Sequence, residues 1–315
     1  MNPSSSPPAG QHTPVLVPEV LSALVTDPAG LYLDGTLGTG GHASALLARL
    51  GPEGRVLGVD LDPQALARAR ERLAGESQRI TIRQGSFAHL AEMLEELEVT
   101  ACQGVLLDLG ISSLTLEKSG RGFSFQRDEP LDMRFDPHSG RPLSSVLPQL
   151  GFQPLDEIIQ RYGEERRHRA VAQAIHSAAA AGRMTTSGDL AQAVRSVIKG
   201  PQVTKSLARV FQAFRIYIND ELTTIQTALE SLPRLLAVGG RAAIISFHSL
   251  EDRMVKHFFL RESKACLCPP KLPTCQCNHQ ATLKVMTRKP IIPTPDEQAL
   301  NPRSRTAKLR VAERC

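Results

Sequence analysis

The chain has 315 residues, of which 41% are hydrophobic, and it carries a formal net charge of +5. This length is sufficient to bury a core and predicts two domains at roughly 150 residues each. The opening "MNPSSSPPAG" predicts a disordered polar tail over 1–11. It lacks the apolar segment of a secretory signal, and no run of about 18 apolar residues follows that would span a membrane. A cytoplasmic protein without membrane association is expected, and its oligomeric state stays open.

The first third of the chain alternates strand-like and helix-like segments. The strand-like runs are "LYLD", "RVLGVD", "RITIRQ" and "GVLLDLG", and the helical patterns between them are "HASALLARL", "PQALARARERLA" and "FAHLAEMLEELE". Short crossovers of this kind join parallel strands. The pattern predicts an α/β fold with a mostly parallel, doubly wound sheet.

The alternation stops after Asp108. Helical spacing dominates until the strand-like "RAAIISFHS", and Ser187 is the candidate cap of one of these helices. We expect an inserted helical substrate-recognition domain over 141–214. The two parts of the α/β domain then cover 12–140 and 215–315, with late strands at "LKVMTRK" and "RTAKLRVAE" and a basic C-terminal tail.

A glycine-dense turn, "DGTLGTGG", follows the first predicted strand. Without Cβ atoms in the way, backbone N–H groups and a helix N-terminus can approach a ligand closely. Gly38, Gly40 and Ala43 also satisfy the G-x-G-x-x-G/A pattern of dinucleotide-binding turns. A structural turn without a ligand remains an alternative.

The ends of the next three strands carry groups suited to a nucleoside. Asp60 ends the second strand, where a carboxylate accepts hydrogen bonds from ribose hydroxyls, Phe87 follows the third, and Asp108 ends the fourth. Phe87 is either a cover for adenine or a core residue that opens a helix. Asp34, at the start of the glycine turn, would repel a pyrophosphate but not a cofactor with an ammonium and a sulfonium group. S-adenosylmethionine is therefore favoured over a dinucleotide.

Seven ordered segments resemble the bacterial small-subunit rRNA cytosine-N4 methyltransferases, the methyltransferase H family. They are "HTPVL", "DGTLGTGGHA", "DLGISS", "RGFSFQRDEPLDMRFD", "AFRIYINDEL", "SFHSLEDRMVK" and "NPRSRTAKLR". The resemblance covers almost the whole chain. It implies a class I, Rossmann-like S-adenosylmethionine-dependent fold. It also implies methylation of the N4 amine of a flipped decoding-centre cytidine, cytidine 1402, in 16S rRNA of the small ribosomal subunit.

The resemblance also implies the cofactor contacts. Carried over position by position, they fall on Gly40, Gly41, His42, Asp60, Phe87 and Asp108. His42 has the alternative of a polar residue that merely opens a helix. The chain departs from the family after "DLGISS", where Leu114 and Thr115 replace the usual Pro-Gln, so a contact made by that glutamine cannot be transferred to Thr115.

Asp108 is the candidate catalytic residue, because methyl transfer to an aromatic amine needs alignment and an acceptor aimed at the N4 protons rather than a strong base.

The segment from Arg161 to Arg215 holds ten Lys/Arg against three Asp/Glu, a local net charge of +7. Either a solvated helical surface or a surface facing a polyanion explains this clustering. The candidate rRNA contacts are Arg166, Arg167, Arg169, Lys199, Lys205 and Arg209.

Four cysteines crowd into a short cysteine-rich loop, 266–279, as C-x-C-x₆-C-x-C: Cys266, Cys268, Cys275 and Cys277. In an extended chain, residues i and i+2 point to one side, so each pair presents two thiolates to one metal. Structural zinc and a metal-free reduced loop both remain open.

Two other functions remain to be separated from methyl transfer. A dinucleotide-dependent oxidoreductase rests only on the glycine match and Asp60. A non-catalytic, rRNA-binding ribosome-assembly protein would bind RNA through the basic helices without methyl incorporation.

Overall fold

A computed structural model describes residues 14–111, 116, 119–269 and 275–315. The chain divides into two compact units, one made of Met1–Gly110 with Gln226–Cys315 and the other of Ile111–Ile225. The second unit extends beyond the predicted 141–214 insertion at both ends. One reason is that Phe123, Leu131 and Met133, which precede the insertion, are buried in its helical core.

The strands and helices are numbered here in chain order. The strands are β1 (Leu31–Asp34), β2 (Arg55–Asp60), β3 (Ile80–Gln84), β4 (Cys102–Asp108), β5 (Leu236–Ser246), β6 (Leu283–Val285) and β7 (Lys308–Arg314). The helices are α1 (Val17–Leu24), α2 (Gly41–Arg49), α3 (Pro63–Arg72), α4 (Leu90–Glu96), α5 (Leu143–Val146), α6 (Phe152–Gly163), α7 (His168–Ala180), α8 (Ser187–Val197), α9 (Val203–Asn219), α10 (Glu221–Leu235), α11 (Ser249–Glu262) and α12 (Pro295–Leu300).

The first unit is built on a seven-stranded sheet with the order β3-β2-β1-β4-β5-β7-β6. Strands β1 to β5 pair in parallel, and β7 is antiparallel to both β5 and β6. The predicted mostly parallel, doubly wound sheet is confirmed. The order reverses between β1 and β4, and in open α/β sheets ligands bind at the carboxyl ends of the strands beside such a reversal.

Strand β5 begins five residues earlier than the predicted strand, which starts at Arg241. Its pairing with β4 shifts register, with Leu236 opposite Cys102 and Arg241 opposite Gly104. Gly239, at φ +79°, lies in this irregular stretch. The chain nevertheless stays in the sheet across this irregularity.

The end of the chain forms the late strand that the sequence predicted at "RTAKLRVAE", so only its description as a basic tail is corrected. Residues Lys308–Arg314 form β7, which lies inside the sheet between β5 and β6. Arg310 is buried and its Nε donates to Asp252 of α11 at 2.6 Å, while Lys308 donates to the same carboxylate at 3.1 Å. These two charges are thus paired within the first unit.

The second unit is helical, and α8 begins one residue earlier than its predicted cap implied. Thr186 is the N-cap, and it forms a capping box with Asp189. Ser187 is instead buried, and its hydroxyl donates to Arg127 O at 2.7 Å and accepts from Glu129 N at 3.0 Å. The hydroxyl that appeared free to cap the helix therefore holds the 127–129 loop.

Among the helices in the described part of the chain, none is long and apolar enough to cross a membrane.

Candidate cofactor site at the ends of the parallel strands

The glycine turn connects β1 to α2. Gly38 and Gly40 have φ values of +52° and +78°, in the left-handed region that favours glycine. A Cβ on Gly40 would lie 2.8 Å from the side chain of Leu73, so no other residue fits there without displacement. Gly40 is the N-cap of α2, and the first N–H groups of this helix have no intrahelical acceptor. The turn thus presents unsatisfied donors and a positive helix end to a ligand.

Asp34 ends β1 beneath this turn and is only 1% exposed. Its Oδ1 accepts from the N–H of Thr36 at 3.2 Å, while Oδ2 is buried without a hydrogen-bond partner. Burial raises the pKa of Asp34 to about 7, against the opposing charge of His42. The carboxyl group is therefore poised to lose a proton when a cation approaches.

His42 lies in the first turn of α2 and is 7% exposed, with Nε2 at 3.5 Å from Oδ2 of Asp108. Burial lowers the pKa of His42, but the neighbouring carboxylates of Asp108 and Asp34 outweigh it, and the net shift is upward. The helix-opening position that the sequence suggested is correct. The side chain nevertheless faces a carboxylate on β4 rather than solvent.

Asp108 ends β4 and is fixed through its backbone. Its N–H donates to the hydroxyl of Thr36 at 2.6 Å, and Oδ1 is buried without a partner. Asp34 Oδ2 and Asp108 Oδ1 are thus buried near the glycine turn without a hydrogen-bond partner within the described residues, and His42 Nε2 has only its 3.5 Å contact with Asp108 Oδ2. Since buried polar groups are nearly always satisfied, this concentration indicates a polar ligand site.

Asp60 ends β2 and holds the glycine turn in place. Its Oδ2 accepts from the N–H of Gly38 at 2.7 Å, and Oδ1 accepts from the N–H of Asp62 at 2.9 Å. Burial raises the pKa of Asp60, although these backbone donors oppose the shift. Each carboxylate oxygen keeps further acceptor capacity, so the side chain can hold the turn and still accept from a ribose.

Phe87 follows β3 and begins a short 3₁₀ turn, Phe87–His89, which Ser86 caps by accepting from Ala88 N at 3.2 Å. A Cβ on Gly35 would lie 2.9 Å from the Cβ of Phe87, which places this residue against the start of the glycine turn. Phe87 is half-buried, and thus neither a fully enclosed core residue nor a free one.

The sequence predicted these strand ends but missed one residue, Thr36, whose hydroxyl fixes Asp108. Its position two residues after a carboxylate at a strand end was the available signal. Thr115, at which the chain departs from the family, lies outside the described residues.

The predicted RNA contacts belong to the second unit. Arg166, Arg167, Arg169, Lys199 and Lys205 are exposed, and Lys199 donates to Arg195 O at 2.7 Å. Arg209 differs, because it lies 3.5 Å from the buried carboxylate of Glu165. Burial alone would raise the pKa of Glu165, but the N–H of Arg167 and the charge of Arg209 lower it.

Part of this basic set lies together, at the end of α6. Gly163, at the end of α6, lies so close to α9 that a Cβ there would be 2.8 Å from Arg209 O. The 164–169 segment follows directly, and Glu165 joins it to α9, because its carboxylate accepts from Arg167 N at 3.0 Å and lies 3.5 Å from Arg209. The structure therefore places part of the predicted basic set on one region of the second unit.

Other polar residues of the motif segments hold the backbone. The side chain of Asn219 accepts from Phe135 N at 2.8 Å and donates to Met133 O at 2.8 Å. Asp132 pairs with Arg134 at 2.7 Å. His248 caps α11, with Glu251 completing the capping box. These contacts give each motif residue a structural role.

The sheet order with an antiparallel β7, and a ligand-ready turn after β1, define a class I S-adenosylmethionine-dependent methyltransferase fold. The chain belongs to the MraW methylase family, which matches residues 9–315. This membership confirms the resemblance found in the sequence and makes the chain a methyltransferase rather than an oxidoreductase.

Two relatives show how completely the chain is matched. The ribosomal RNA small subunit methyltransferase H of Heliobacterium modesticaldum is 42% identical over 307 residues, which cover 96% of this chain and 98% of that protein. The protein of the same name from Syntrophotalea carbinolica is 43% identical over equal shares. An rRNA methylase structure from Streptococcus thermophilus aligns with a TM-score of 0.42 at 12% identity, over 95% of this chain and 93% of that one. The fold is assigned from the strand order of the sheet and not from this structural alignment.

Proposed function

We propose that this enzyme transfers a methyl group from S-adenosylmethionine to N4 of the decoding-centre cytidine, cytidine 1402, of 16S rRNA in the small ribosomal subunit. The names of its relatives and the seven motif segments support the substrate. The observation that carries the chemistry is the pair of buried, unpartnered carboxylate oxygens, Asp34 Oδ2 and Asp108 Oδ1, beside His42 at the switch point of the sheet.

The strand-end residues suit the parts of this cofactor. Asp34 suits its ammonium group, because a nearby cation favours the ionised carboxylate. The N–H groups of Gly41 and His42, in the first turn of α2, suit its carboxylate. Asp60 has acceptor capacity for ribose hydroxyls, and Phe87 offers an apolar face for adenine. When bound, the cofactor supplies an electrophilic methyl group on a positively charged sulfur.

Asp108 is the residue assigned to the amine. Its unpartnered Oδ1 is available to accept a hydrogen bond from an N4 proton, which would orient the amine and stabilise the positive charge that develops on it. Thr36 fixes the backbone of Asp108, and His42 stands 3.5 Å from its other oxygen. The proton then leaves an alkylated amine that is itself acidic, so no strong base is needed.

The second unit supplies the rRNA-binding charges in this proposal. Arg166, Arg167 and Arg169 are exposed near the start of α7, and Lys205 is exposed on α9. Lys199 also remains a candidate rRNA contact, whereas the charge of Arg209 is partly neutralised by Glu165. With only 13 aromatic residues and no tryptophan in the chain, phosphate contacts rather than base stacking are expected to dominate affinity.

The direct test is methyl transfer in vitro. Purified enzyme and labelled S-adenosylmethionine are incubated with small subunits that lack the modification, and the rRNA is digested to nucleosides. We expect label in N4-methylcytidine from the decoding centre, and none when that cytidine is replaced by uridine in reconstituted subunits. Label in another nucleoside would contradict the target. Tight rRNA binding without any label would favour the non-catalytic assembly protein.

Asp108→Asn separates chemistry from cofactor binding. The amide keeps the shape but loses the charge, so turnover should fall at least about tenfold more than cofactor affinity, measured by single-turnover kinetics and calorimetry. Equal losses in both quantities would reduce Asp108 to a cofactor-binding residue.

A structural zinc ion on the cysteine cluster is a separate proposal, since no thiol contributes to the strand-end site.

A further inference from the structure

The four clustered cysteines lie in the connection between α11 and β6. Both ends of this connection are tied together, because Thr282 N donates to Glu262 O at 2.9 Å and its hydroxyl donates to the Glu262 carboxylate at 2.6 Å. Beyond this tie, none of the described residues in 263–269 and 275–281 is buried. Leu267 is 41% exposed, and Cys266, Cys275 and Cys277 are exposed as well.

The sulfur atoms converge in spite of this exposure. All four Sγ atoms lie within 4.8 Å of one another. Cys266 is 3.5 Å from Cys275 and 3.7 Å from Cys277, and Cys275 is 3.6 Å from Cys277. A tetrahedral site with Zn–S bonds of about 2.3 Å separates its sulfurs by roughly 3.8 Å. The observed spacing is close to that of a single tetrahedral ion.

Backbone donors also point at the sulfur atoms. Leu267 N donates to Cys277 Sγ at 3.3 Å, Cys268 N to Cys266 Sγ at 3.4 Å, and Gln276 N to Cys268 Sγ at 3.3 Å. Hydrogen bonds of this kind stabilise thiolates and orient metal ligands. Since thiolates would repel one another, donors aimed at three of the sulfurs indicate a cation among them.

Other occupants suit the arrangement less well. A disulfide requires two sulfurs about 2.05 Å apart, whereas here three sulfurs are nearly equidistant. An iron–sulfur cluster would spread the cysteines further, because each binds a different iron. Calcium and magnesium prefer oxygen ligands. An all-thiolate tetrahedral set selects zinc, with a single iron ion as the nearest competitor.

We propose that Cys266, Cys268, Cys275 and Cys277 bind one zinc ion, which orders the connection between α11 and β6. Binding converts four thiols into four thiolates, releases four protons to solvent and changes no oxidation state. The ion would take the place of apolar contacts, since none of the described residues around the cysteines, 263–269 and 275–281, is buried.

Metal content is the first test. The full-length enzyme, purified under reducing conditions and reconstituted with zinc, should hold about one equivalent of zinc. Cys266→Ser and Cys277→Ser should each lower this content at least about tenfold, because three thiolates bind more weakly than four. The matched control is Cys315→Ser, which changes an exposed cysteine outside the cluster. Less than about a tenth of an equivalent in the reconstituted enzyme, or one equivalent of iron in its place, would overturn the proposal.

Limited proteolysis tests the ordering role. Chelator treatment should accelerate cleavage within 264–281 at least about tenfold, while cleavage elsewhere and the helical circular dichroism signal stay unchanged. Readdition of zinc should reverse the effect in the wild-type chain but not in Cys277→Ser. Equal cleavage with and without the metal would refute the claim that zinc orders this segment, whatever the metal content.

Discussion

Asp60→Ala should weaken both the fold and cofactor binding, because the same carboxylate holds the glycine turn and faces the proposed ribose. Two backbone N–H groups, those of Gly38 and Asp62, donate to it at 2.7 and 2.9 Å. Hydrogen bonds to a charged acceptor contribute about 1.5–3 kcal/mol each. The raised pKa of Asp60 indicates that burying its charge offsets part of this gain. We therefore expect a net loss of about 1–3 kcal/mol in the free energy of unfolding without ligand.

Cofactor binding should fall further than stability alone explains. Loss of the ribose hydrogen bonds and of the ordered turn should lower S-adenosylmethionine affinity by roughly tenfold to a thousandfold. Denaturant unfolding of the ligand-free chain measures the first effect, and calorimetric titration at a temperature where the variant is folded measures the second.

Asp62→Ala is the matched control. Asp62 caps α3 by accepting from Gln64 N at 3.0 Å, so its loss should cost about 1 kcal/mol of stability. The glycine turn keeps its acceptor, and cofactor affinity should change little. If Asp60→Ala leaves unfolding unchanged, or binds cofactor as well as Asp62→Ala does, the dual role of Asp60 is refuted.

The remaining predictions concern charge. The pKa of Asp34 is about 7 without ligand, and a cationic ligand favours its ionised form, so binding should release a proton and affinity should fall as the pH drops from 8 to 6. Calorimetry in buffers of different ionisation enthalpy measures this, and an equal pH dependence in Asp34→Asn would contradict it. Reversal of Arg166 and Arg167 to Glu should weaken rRNA binding and flatten its log–log salt dependence by about one unit per lost phosphate contact. The same reversal at Arg70 and Arg72, exposed on α3, changes the net charge equally and should have a smaller effect; equal effects would mean that net charge alone is responsible.

Local sequence was sufficient for the central strands. "LYLD" and "RVLGVD" coincide with β1 and β2, because buried parallel strands read as continuous apolar runs that end on polar residues. Local sequence also predicted a strand at "RTAKLRVAE", which overlaps β7, but it did not show that Lys308 and Arg310 are paired inside the sheet. Their charge is accommodated by Asp252, 56 and 58 residues away in the chain, and no local pattern reveals such a partner.

In the candidate site, too, some features could be predicted from local sequence and others only from the three-dimensional structure. Four strand ends could be assigned to one pocket, since the carboxyl ends of parallel strands meet at one edge of a sheet. The link between Thr36 and Asp108, and the approach of His42 to the same carboxylate, depend on how β1, α2 and β4 are placed in space. Sequence spacing does not contain that information.

The most direct test of the proposed function is the decoding-centre cytidine in cells. Mass spectrometry of 16S rRNA from a strain that lacks this chain should show loss of the N4-methyl group at that cytidine. Expression of the wild-type chain should restore it, whereas expression of Asp108→Asn at equal abundance should restore it slowly or not at all. Full retention of the N4-methyl group in the deletion strain would contradict the proposal.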